Sequence, residues 1–358
     1  MRVVECRNDI NHRPFSVCCH SVNYVRFNHV GRPFGQIDRQ PIKKVPVMIL
    51  CCGDALIDMI PATTTQATPS FVPLPGGAVF NTAVSLGRLR VPVEMLTGLS
   101  QDLFGAQLTH ALTDSNVGTK FNIVTARPTT LAFVELTDGD ASYTFYDENS
   151  AGRMITSADL PALTNDITAL YFGGISLCNA PAADTYLTLA LREAAQRVIM
   201  LDPNIRPGFI TDAAAYRTRL DAIFAVADII KVSDEDLAWL LPGPEDVMSK
   251  LATLQAGRQA IMILTCGKDG AQALLPDGSK VAVDVPAAVV VDTVGAGDTF
   301  NAGILANLHG QRSLTKAAIG QLSGAHMIEA LAFGAKVAAV TVARAGANPP
   351  WQRELSDL

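Results

Sequence analysis

The chain has 358 residues, about half of them apolar, and a formal net charge of −6 with acidic and basic residues interspersed. This length allows one large α/β domain or two smaller ones, and the composition can bury a large core. We expect neither a nucleic-acid partner nor a membrane partner, because the sequence has no extended basic stripe and no apolar run near the ~20 residues that span a bilayer.

The seven cysteines form no regular framework, and they stand at positions 6, 18, 19, 51, 52, 178 and 266. An odd, scattered set argues against a secreted disulfide scaffold and predicts a reducing compartment, so we expect a cytoplasmic protein. Neither H-E-x-x-H nor paired C-x-x-C occurs. A metal site built only from side chains is therefore not expected.

Residues 1–46 differ from the rest of the chain. They are rich in Arg, Asn, His and Pro, and they show no sustained period of 2 or 3.6 residues. They also lack the continuous apolar segment of a secretory signal. We interpret them as a disordered extension or as sequence upstream of a true start near Met48, and we expect the folded domain at residues 47–358.

From residue 47 onward, short apolar runs alternate with helical segments. The runs cover residues 47–52, 93–96, 169–172, 198–201, 229–232 and 261–264. Continuous apolar strands that alternate with helices predict a doubly wound α/β fold, whose mostly parallel sheet is covered on both faces. Ligands of such sheets bind beyond the carboxyl ends of the strands.

Two segments interrupt this alternation. Residues 130–136 and 142–146 alternate apolar with polar side chains across a turn that contains Asp138-Gly139, which predicts a β-hairpin with one solvated face. Such a hairpin is a candidate lid, an edge extension or a dimer contact. Periodicity alone does not distinguish these three.

The strongest motif is Asp292-Thr293-Val294-Gly295-Ala296-Gly297-Asp298-Thr299-Phe300. The apolar residues that follow have helical spacing, so the glycine loop ends at a helix N-terminus, where free N–H groups and the helix dipole favour an anion. Asp298 would place a carboxylate beside that anion. Its structural alternative is an ordinary N-cap, which an isolated Gly-x-Gly-Asp would favour.

A second glycine motif precedes another predicted helix. Gly76-Gly77 allows close approach of the backbone to a polar ligand, and Asn81 offers both a donor and an acceptor. Asp54 and Asp58 follow the first strand. Alone, the glycine motif favours an ordinary turn and helix start, and carboxylates at a strand end are often solvated or cap a helix.

Together the two motifs resemble the signatures of the PfkB (ribokinase-like) carbohydrate kinases, from Met48 to the C-terminus. Gly76-Gly77-x-x-x-Asn81-x-Ala83 resembles the N-terminal signature, and residues 292–300 are similar to the C-terminal signature residue for residue. The resemblance implies a ribokinase-like three-layer sheet with a small β-hairpin lid, formed from about 59–73 and 129–147.

The resemblance also implies an ATP-dependent phosphotransferase with an alcohol group as acceptor. Asp298 would act as the general base, and the backbone N–H groups of Gly295, Ala296 and Gly297 would stabilise the transferred phosphoryl group. The positions that match the family's sugar-binding residues are Asp58, Gly76, Gly77 and Asn81. The residues expected at the nucleotide are Lys231, Thr265, Gly267, Gly270, Gly295 and Gly297.

One position departs from the family pattern. The family's N-x-x-E motif, which organises Mg²⁺ through water, aligns with Lys231-Val232-Ser233-Asp234. Asp234 or Glu235 would keep the acidic function, whereas Lys231 replaces the amide and is a candidate point charge for the phosphates.

The C-terminal region resembles another part of the family. Residues 338–342 and Arg344-Ala345-Gly346-Ala347 resemble the family's last strand and loop. In many members this loop and the residues around Asp292 bind a monovalent cation. We therefore expect K⁺ in addition to Mg²⁺.

The acceptor is inferred from Asp202-Pro203-Asn204-Ile205-Arg206, which resembles a segment common in fructokinases and in 2-keto-3-deoxygluconate kinases. A proline-stiffened turn is its structural alternative. Arg206 suits an anion, and Arg153 is a second candidate beside the sugar. We expect fructose first, with 2-keto-3-deoxygluconate and ribose as alternatives.

Two other classes of function compete with a sugar kinase. A non-catalytic sugar sensor on the same fold would not need the base at Asp298. An NAD-dependent oxidoreductase fits the alternation of strands and helices but lacks a complete G-x-G-x-x-G. Family analogy further favours a homodimer formed through the lid.

Overall fold

The computed structural model describes residues 47–137 and 140–356. The extension predicted for residues 1–46 and the Asp138-Gly139 turn lie outside the described residues, so both interpretations stay predictions.

The described strands are β1 (Met48–Cys52), β2 (Leu56–Thr63), β3 (Pro69–Gly76), β4 (Val93–Leu96), β5 (Gly98–Ser100), β6 (Ile123–Thr125), β7 (Leu131–Thr137), β8 (Asp140–Tyr146), β9 (Ile167–Gly173), β10 (Val198–Asp202), β11 (Ile229–Ser233), β12 (Ile261–Thr265), β13 (Ala271–Leu274) and β14 (Lys280–Val283). The described α-helices are α1 (Ala78–Arg88), α2 (Leu103–Asp114), α3 (Ala182–Glu193), α4 (Ala213–Phe224), α5 (Asp234–Leu240), α6 (Val247–Gln255), α7 (Ala296–Gly310), α8 (Lys316–Ile319) and α9 (Gly324–Val342).

An eight-stranded sheet forms the centre of the fold. Its strand order is β14-β13-β12-β11-β10-β9-β1-β4, and the six strands from β12 to β4 run parallel. These six are the apolar runs that the sequence predicts. The antiparallel edge formed by β13 and β14 was not predicted.

Helices cover both faces of this sheet. Ile49 and Cys51 of β1 pack in a core with residues of α1, α2, α7 and α9, whereas Leu50 and Cys52 pack in a second core with residues of α3 to α6. Because successive side chains of a strand point to opposite faces, a strand between two helical layers is apolar at nearly every position. The predicted three-layer fold is thus confirmed.

A separate four-stranded sheet, with the order β3-β2-β7-β8, forms the lid sheet. β7 and β8 pair as the predicted antiparallel hairpin, and β2 runs parallel to β7. Phe71, Phe133 and Tyr146 form a chain of edge-to-face aromatic contacts, with ring centroids 5.0 and 5.4 Å apart. That this sheet covers a substrate stays a prediction.

Helix α9 corrects one expectation. Residues 338–342, which resemble the family's last strand, form the final turns of this helix. Tertiary packing outweighs the β-branched residues there, because α9 buries Met327, Leu331 and Val337 in the core. Among the described helices, α9 alone is long and apolar enough to cross a membrane, but it carries Glu329 and Lys336 and serves here as a core helix.

Candidate active site

Helix α7 begins with free backbone donors. Gly295 is its N-cap residue, with a φ of 76° that L-residues rarely adopt, and a Cβ at this position would lie 2.6 Å from the Cβ of Ala347. No side chain caps this end. The N–H of Ala296 donates to the carbonyl of Thr293, whereas those of Gly295, Gly297 and Asp298 find no acceptor within the described part of the chain.

Asp298 lies in the first turn of α7 and is buried. One of its carboxylate oxygens accepts a hydrogen bond from the Asn81 side-chain amide at 2.9 Å, and its backbone carbonyl accepts from the Thr82 hydroxyl. The N-cap interpretation is therefore wrong, because Gly295 occupies that position. Burial raises the pKa of Asp298 to about 7, although the Asn81 hydrogen bond opposes the shift.

Helix α1 approaches the same place from the other side. Its N-cap residue, Gly77, also has a positive φ, of 107°. The carboxylate of Asp54 accepts hydrogen bonds from the N–H groups of Ala78 and Val79, at 2.9 and 3.4 Å. Burial raises the pKa of Asp54 to about 6. Burial and then the charge of Asp54 raise the pKa of Asp58, on β2, to about 6 as well.

A cleft of about 280 Å³ lies between the lid sheet and the two helix N-termini. The sequence-predicted site residues that line it are Asp58, Gly77, Asn81, Gly295, Ala296, Gly297 and Asp298. Its further polar and aromatic lining comes from Asp54, Tyr143, Phe145, Asn204 and Arg206. Gly76 ends β3 and packs against the Asp58 carboxylate, where a Cβ would overlap. The structure thus brings a carboxylate, an open helix N-terminus and a polar sugar-sized space together.

A buried ion pair lies beneath this cleft. The Lys231 ammonium is 3.1 Å from a carboxylate oxygen of Asp202, and both side chains are almost fully buried. Asn301, on α7, donates to the same oxygen at 2.6 Å and to the Tyr171 hydroxyl at 3.0 Å. Sequence reasoning proposed Lys231 but missed Asp202 and Asn301.

The family model of the pfkB family carbohydrate kinases matches residues 47–354. The chain belongs to this family. The predicted resemblance is therefore confirmed, and so is the general class of enzyme, a carbohydrate kinase.

One curated relative and two solved structures show which members of the family the chain is similar to. The chain is 50% identical over 276 residues to a fructokinase of Rhizobium leguminosarum bv. trifolii, covering 77% of this chain and 84% of that protein. A fructokinase of Xylella fastidiosa, solved with bound ATP, is 28% identical with a TM-score of 0.78, covering 87% and 97% of the two chains. An aminoimidazole riboside kinase of Salmonella enterica, solved with that riboside and an ATP analog, is 25% identical with a TM-score of 0.75, covering 87% and 99%.

Four of the residues that the resemblance expects at the nucleotide, Lys231, Thr265, Gly267 and Gly270, lie outside the cleft lining. Thr265 ends β12, and the short turn that contains Gly267 and Gly270 connects it to β13. This turn is at the carboxyl edge of the sheet, where the family resemblance expects the nucleotide. Thr265 lies on β12, which pairs with β11, the strand of Lys231, and none of Thr265, Gly267 and Gly270 lines the cleft beside Asp298.

Two of the three acids at the start of α5 remain available to a ligand. Asp236 is occupied, because it closes a capping box with Ser233 and accepts a hydrogen bond from the N–H of Ile205. Asp234 and Glu235 lie exposed in the same first turn. No group of three or more metal-binding side chains occurs within residues 47–137 and 140–356. The two exposed carboxylates of Asp234 and Glu235 are oxygen groups of the kind that hydrated Mg²⁺ contacts.

Asp292 links the glycine loop before α7 to the loop that contains Gly346. Its carboxylate accepts from the N–H of Val294 at 3.0 Å and from that of Gly346 at 2.8 Å. Arg153, in contrast, lies away from the cleft: its guanidinium donates to the carbonyl of Ala180 and is 3.7 Å from Asp147. It lines a small adjacent cavity instead, because these two partners hold it there.

Proposed function

We propose that this pfkB kinase transfers the γ-phosphoryl group of ATP to a hydroxyl group of fructose. The observation that carries the proposal is the buried carboxylate of Asp298 beside the open N-terminus of α7, opposite Asp58 in one cleft. The 50% identity to a fructokinase supports fructose as the acceptor.

The chemistry follows from the surroundings of Asp298. Its carboxylate takes the proton of the acceptor hydroxyl while the hydroxyl oxygen forms a bond to the γ-phosphorus. The bond from that phosphorus to the β–γ bridging oxygen breaks, and ADP leaves. A pKa of about 7 suits this base, because it is ionised in half or more of the molecules at neutral pH and still binds a proton readily.

The backbone at the start of α7 supplies the anion site. The free N–H groups of Gly295 and Gly297 and the helix dipole attract the charge that spreads over the phosphoryl oxygens. Ala296 joins this set when its weak turn bond of 3.2 Å to Thr293 is released. These donors need no reorganisation beyond that one bond.

The sugar binds between Asp58 and Asn81. The carboxylate accepts hydrogen bonds from hydroxyl groups, and the amide can both accept and donate them, so the pair can bind several hydroxyls at once. Asp54, Asp58 and Asp298 give the cleft three acids, and Arg206 is the one cation among its lining residues. This charge balance favours a neutral sugar over the acid 2-keto-3-deoxygluconate. The carboxylate of that acid would be repelled by the three aspartates and would have Arg206 as its single cationic partner in the lining.

ATP is the phosphoryl donor, and it brings Mg²⁺ to the carboxyl edge of the sheet. Thr265, Gly267 and Gly270 would contact the nucleotide, and Asp234 and Glu235 would hold the ion through water. The ion supplies positive charge to the phosphates. K⁺ would bind near Asp292, whose carboxylate accepts hydrogen bonds from the backbone N–H groups of Val294 and Gly346.

The lid sheet is the proposed dimer contact. It exposes Phe71, Val72, Leu74 and Tyr146, and apolar residues clustered in this way often mark an interface between subunits. Light scattering of the purified protein tests this, and a monomer at all concentrations would remove the proposal. The free, buried thiols of Cys51, Cys52 and Cys178 support a cytoplasmic location.

The test is ADP release, measured by a coupled assay, with fructose, ribose, 2-keto-3-deoxygluconate and aminoimidazole riboside as acceptors. We expect the highest kcat/KM with fructose, no turnover without Mg²⁺ and higher activity in KCl than in choline chloride. A preference for another acceptor would overturn fructose but keep the kinase. Binding of sugars without turnover on any of them would instead support the sensor.

A further inference from the structure

The position of Lys231 is unusual for a structural ion pair. A Cβ placed on Gly297 would lie 3.5 Å from the Lys231 ammonium, so the charge lies directly beneath the first turn of α7. A cation is unfavourable at a helix N-terminus, and burial of a charge is costly. The fold nevertheless holds the ammonium there, which argues for a use at the anion site.

The surroundings keep the lysine charged and oriented. Burial would lower its pKa, but the negative charges of Asp202, Asp236 and Asp298 outweigh burial and raise the pKa. Lys231 donates one hydrogen bond, to Asp202, within the described residues, although an ammonium has three donors. Asn301 fixes Asp202 in turn, and Asn301 is one turn of α7 beyond Asp298.

We propose that Lys231 supplies the positive charge that draws the transferring phosphoryl group onto the N-terminus of α7, with Asp202 and Asn301 as the residues that position it. The inference rests on the proposed kinase function. The lysine acts as a point charge beneath the free N–H groups of α7. Asp202 keeps the lysine beneath Gly297 when no phosphate is bound.

Paired neutral substitutions separate this role from a structural one. Lys231→Met alone leaves Asp202 buried without its cation, so both the melting temperature and kcat should fall. The double variant Asp202→Asn/Lys231→Met removes both charges and keeps an acceptor for Asn301. We expect it to regain most of the melting temperature while kcat stays about 100-fold below wild type, with KM for the sugar changed less than threefold. Recovery of kcat together with stability would overturn the proposal.

A second variant covers the case in which the methionine variants do not fold. Lys231→Gln retains a hydrogen bond to Asp202 without the charge, and kcat should fall at least tenfold at saturating ATP. A kcat within threefold of wild type would contradict the role of the charge. Wild-type turnover on the sugar panel is measured first. A wild type without turnover refutes the proposed function and this inference together, whereas an active wild type with unaffected variants refutes the inference alone.

Discussion

Two helices, α1 and α7, begin at the same cleft with a glycine as N-cap residue, but their N-terminal N–H groups have different partners. Each starts at a glycine of positive φ, Gly77 at 107° and Gly295 at 76°. At α1 the carboxylate of Asp54 occupies the first N–H groups. At α7 no side chain does so, and three N–H groups stay free within the described chain.

This difference supports the positions that we propose for the sugar and the phosphate. An anion is repelled from α1 because a carboxylate already fills its N-terminus, whereas the open end of α7 attracts one. The sugar, which is neutral, can approach α1 through hydrogen bonds. We therefore propose that the filled helix N-terminus marks the acceptor side of the cleft and the open one the phosphate side.

Substitution of the acid at the open end should have the largest effect. Asp298→Asn removes the base but keeps an acceptor for the Asn81 amide, so the local geometry survives. We expect kcat to fall about 10²–10⁴-fold, with ATP binding retained in calorimetry. Near-normal kcat would mean that Asp298 does not take the proton.

The pH dependence sharpens the same assignment. The base must be ionised, and the pKa of Asp298 is about 7. Log kcat/KM for the sugar should therefore rise with pH and level off above pH 7, falling about tenfold for each pH unit just below that value and more steeply below pH 6, where Asp58 also takes up a proton. Stopped assays between pH 5 and 9 measure this. A profile flat down to pH 5 would show that no group of this pKa limits the reaction.

The variants Gly77→Ala and Gly295→Ala compare the N-termini of α1 and α7 directly. Both substitutions force an L-residue into positive φ, and each adds a close contact, with Ala347 at Gly295 and with Asp54 at Gly77. Strain of about 1–2 kcal/mol at a binding element corresponds to a loss of about 10-fold. Gly295→Ala should lower kcat and weaken ATP binding, whereas Gly77→Ala should chiefly raise KM for the sugar. Identical kinetic effects of the two variants would contradict the separation of roles.

The smallest effect is expected at the filled end. Asp54→Asn keeps one acceptor for the first turn of α1, so unfolding in urea should change by about 1 kcal/mol or less. Activity should stay within tenfold of wild type, since Asp54 takes no proton in the reaction. This variant is also the matched control for Asp298→Asn. A comparable loss of kcat in both variants would contradict the different roles proposed for Asp54 and Asp298.

The six parallel strands were predictable because strands buried on both faces leave continuous apolar runs. Periodicity did not predict the strands β2 and β3, because Pro61, Pro69, Pro73 and Pro75 interrupt the pattern, and only the family resemblance implied a lid at residues 59–73. The structure explains why β3 tolerates proline. This strand lies at the edge of the lid sheet, so fewer of its N–H groups are needed for hydrogen bonds between strands.

The candidate site divides in the same way. The glycine motifs were readable because each has a local sequence pattern. The cluster of Asp202, Lys231 and Asn301 was not, because its three members lie on different elements and each has a plausible local role. Arg153 shows the converse. Its charge suggested a contact to the sugar, but the structure holds its guanidinium outside the cleft, against Asp147 and the carbonyl of Ala180.

The burial of Asp298 also has a consequence for how such an enzyme can evolve. Its pKa is raised from about 4 to about 7, so ionisation destabilises the folded state and stability declines as pH rises through that window. At the pH of the cell the fold therefore retains an energetically unfavourable charge. Selection for heat resistance alone would favour its loss, so the persistence of this aspartate in a lineage would record selection for turnover.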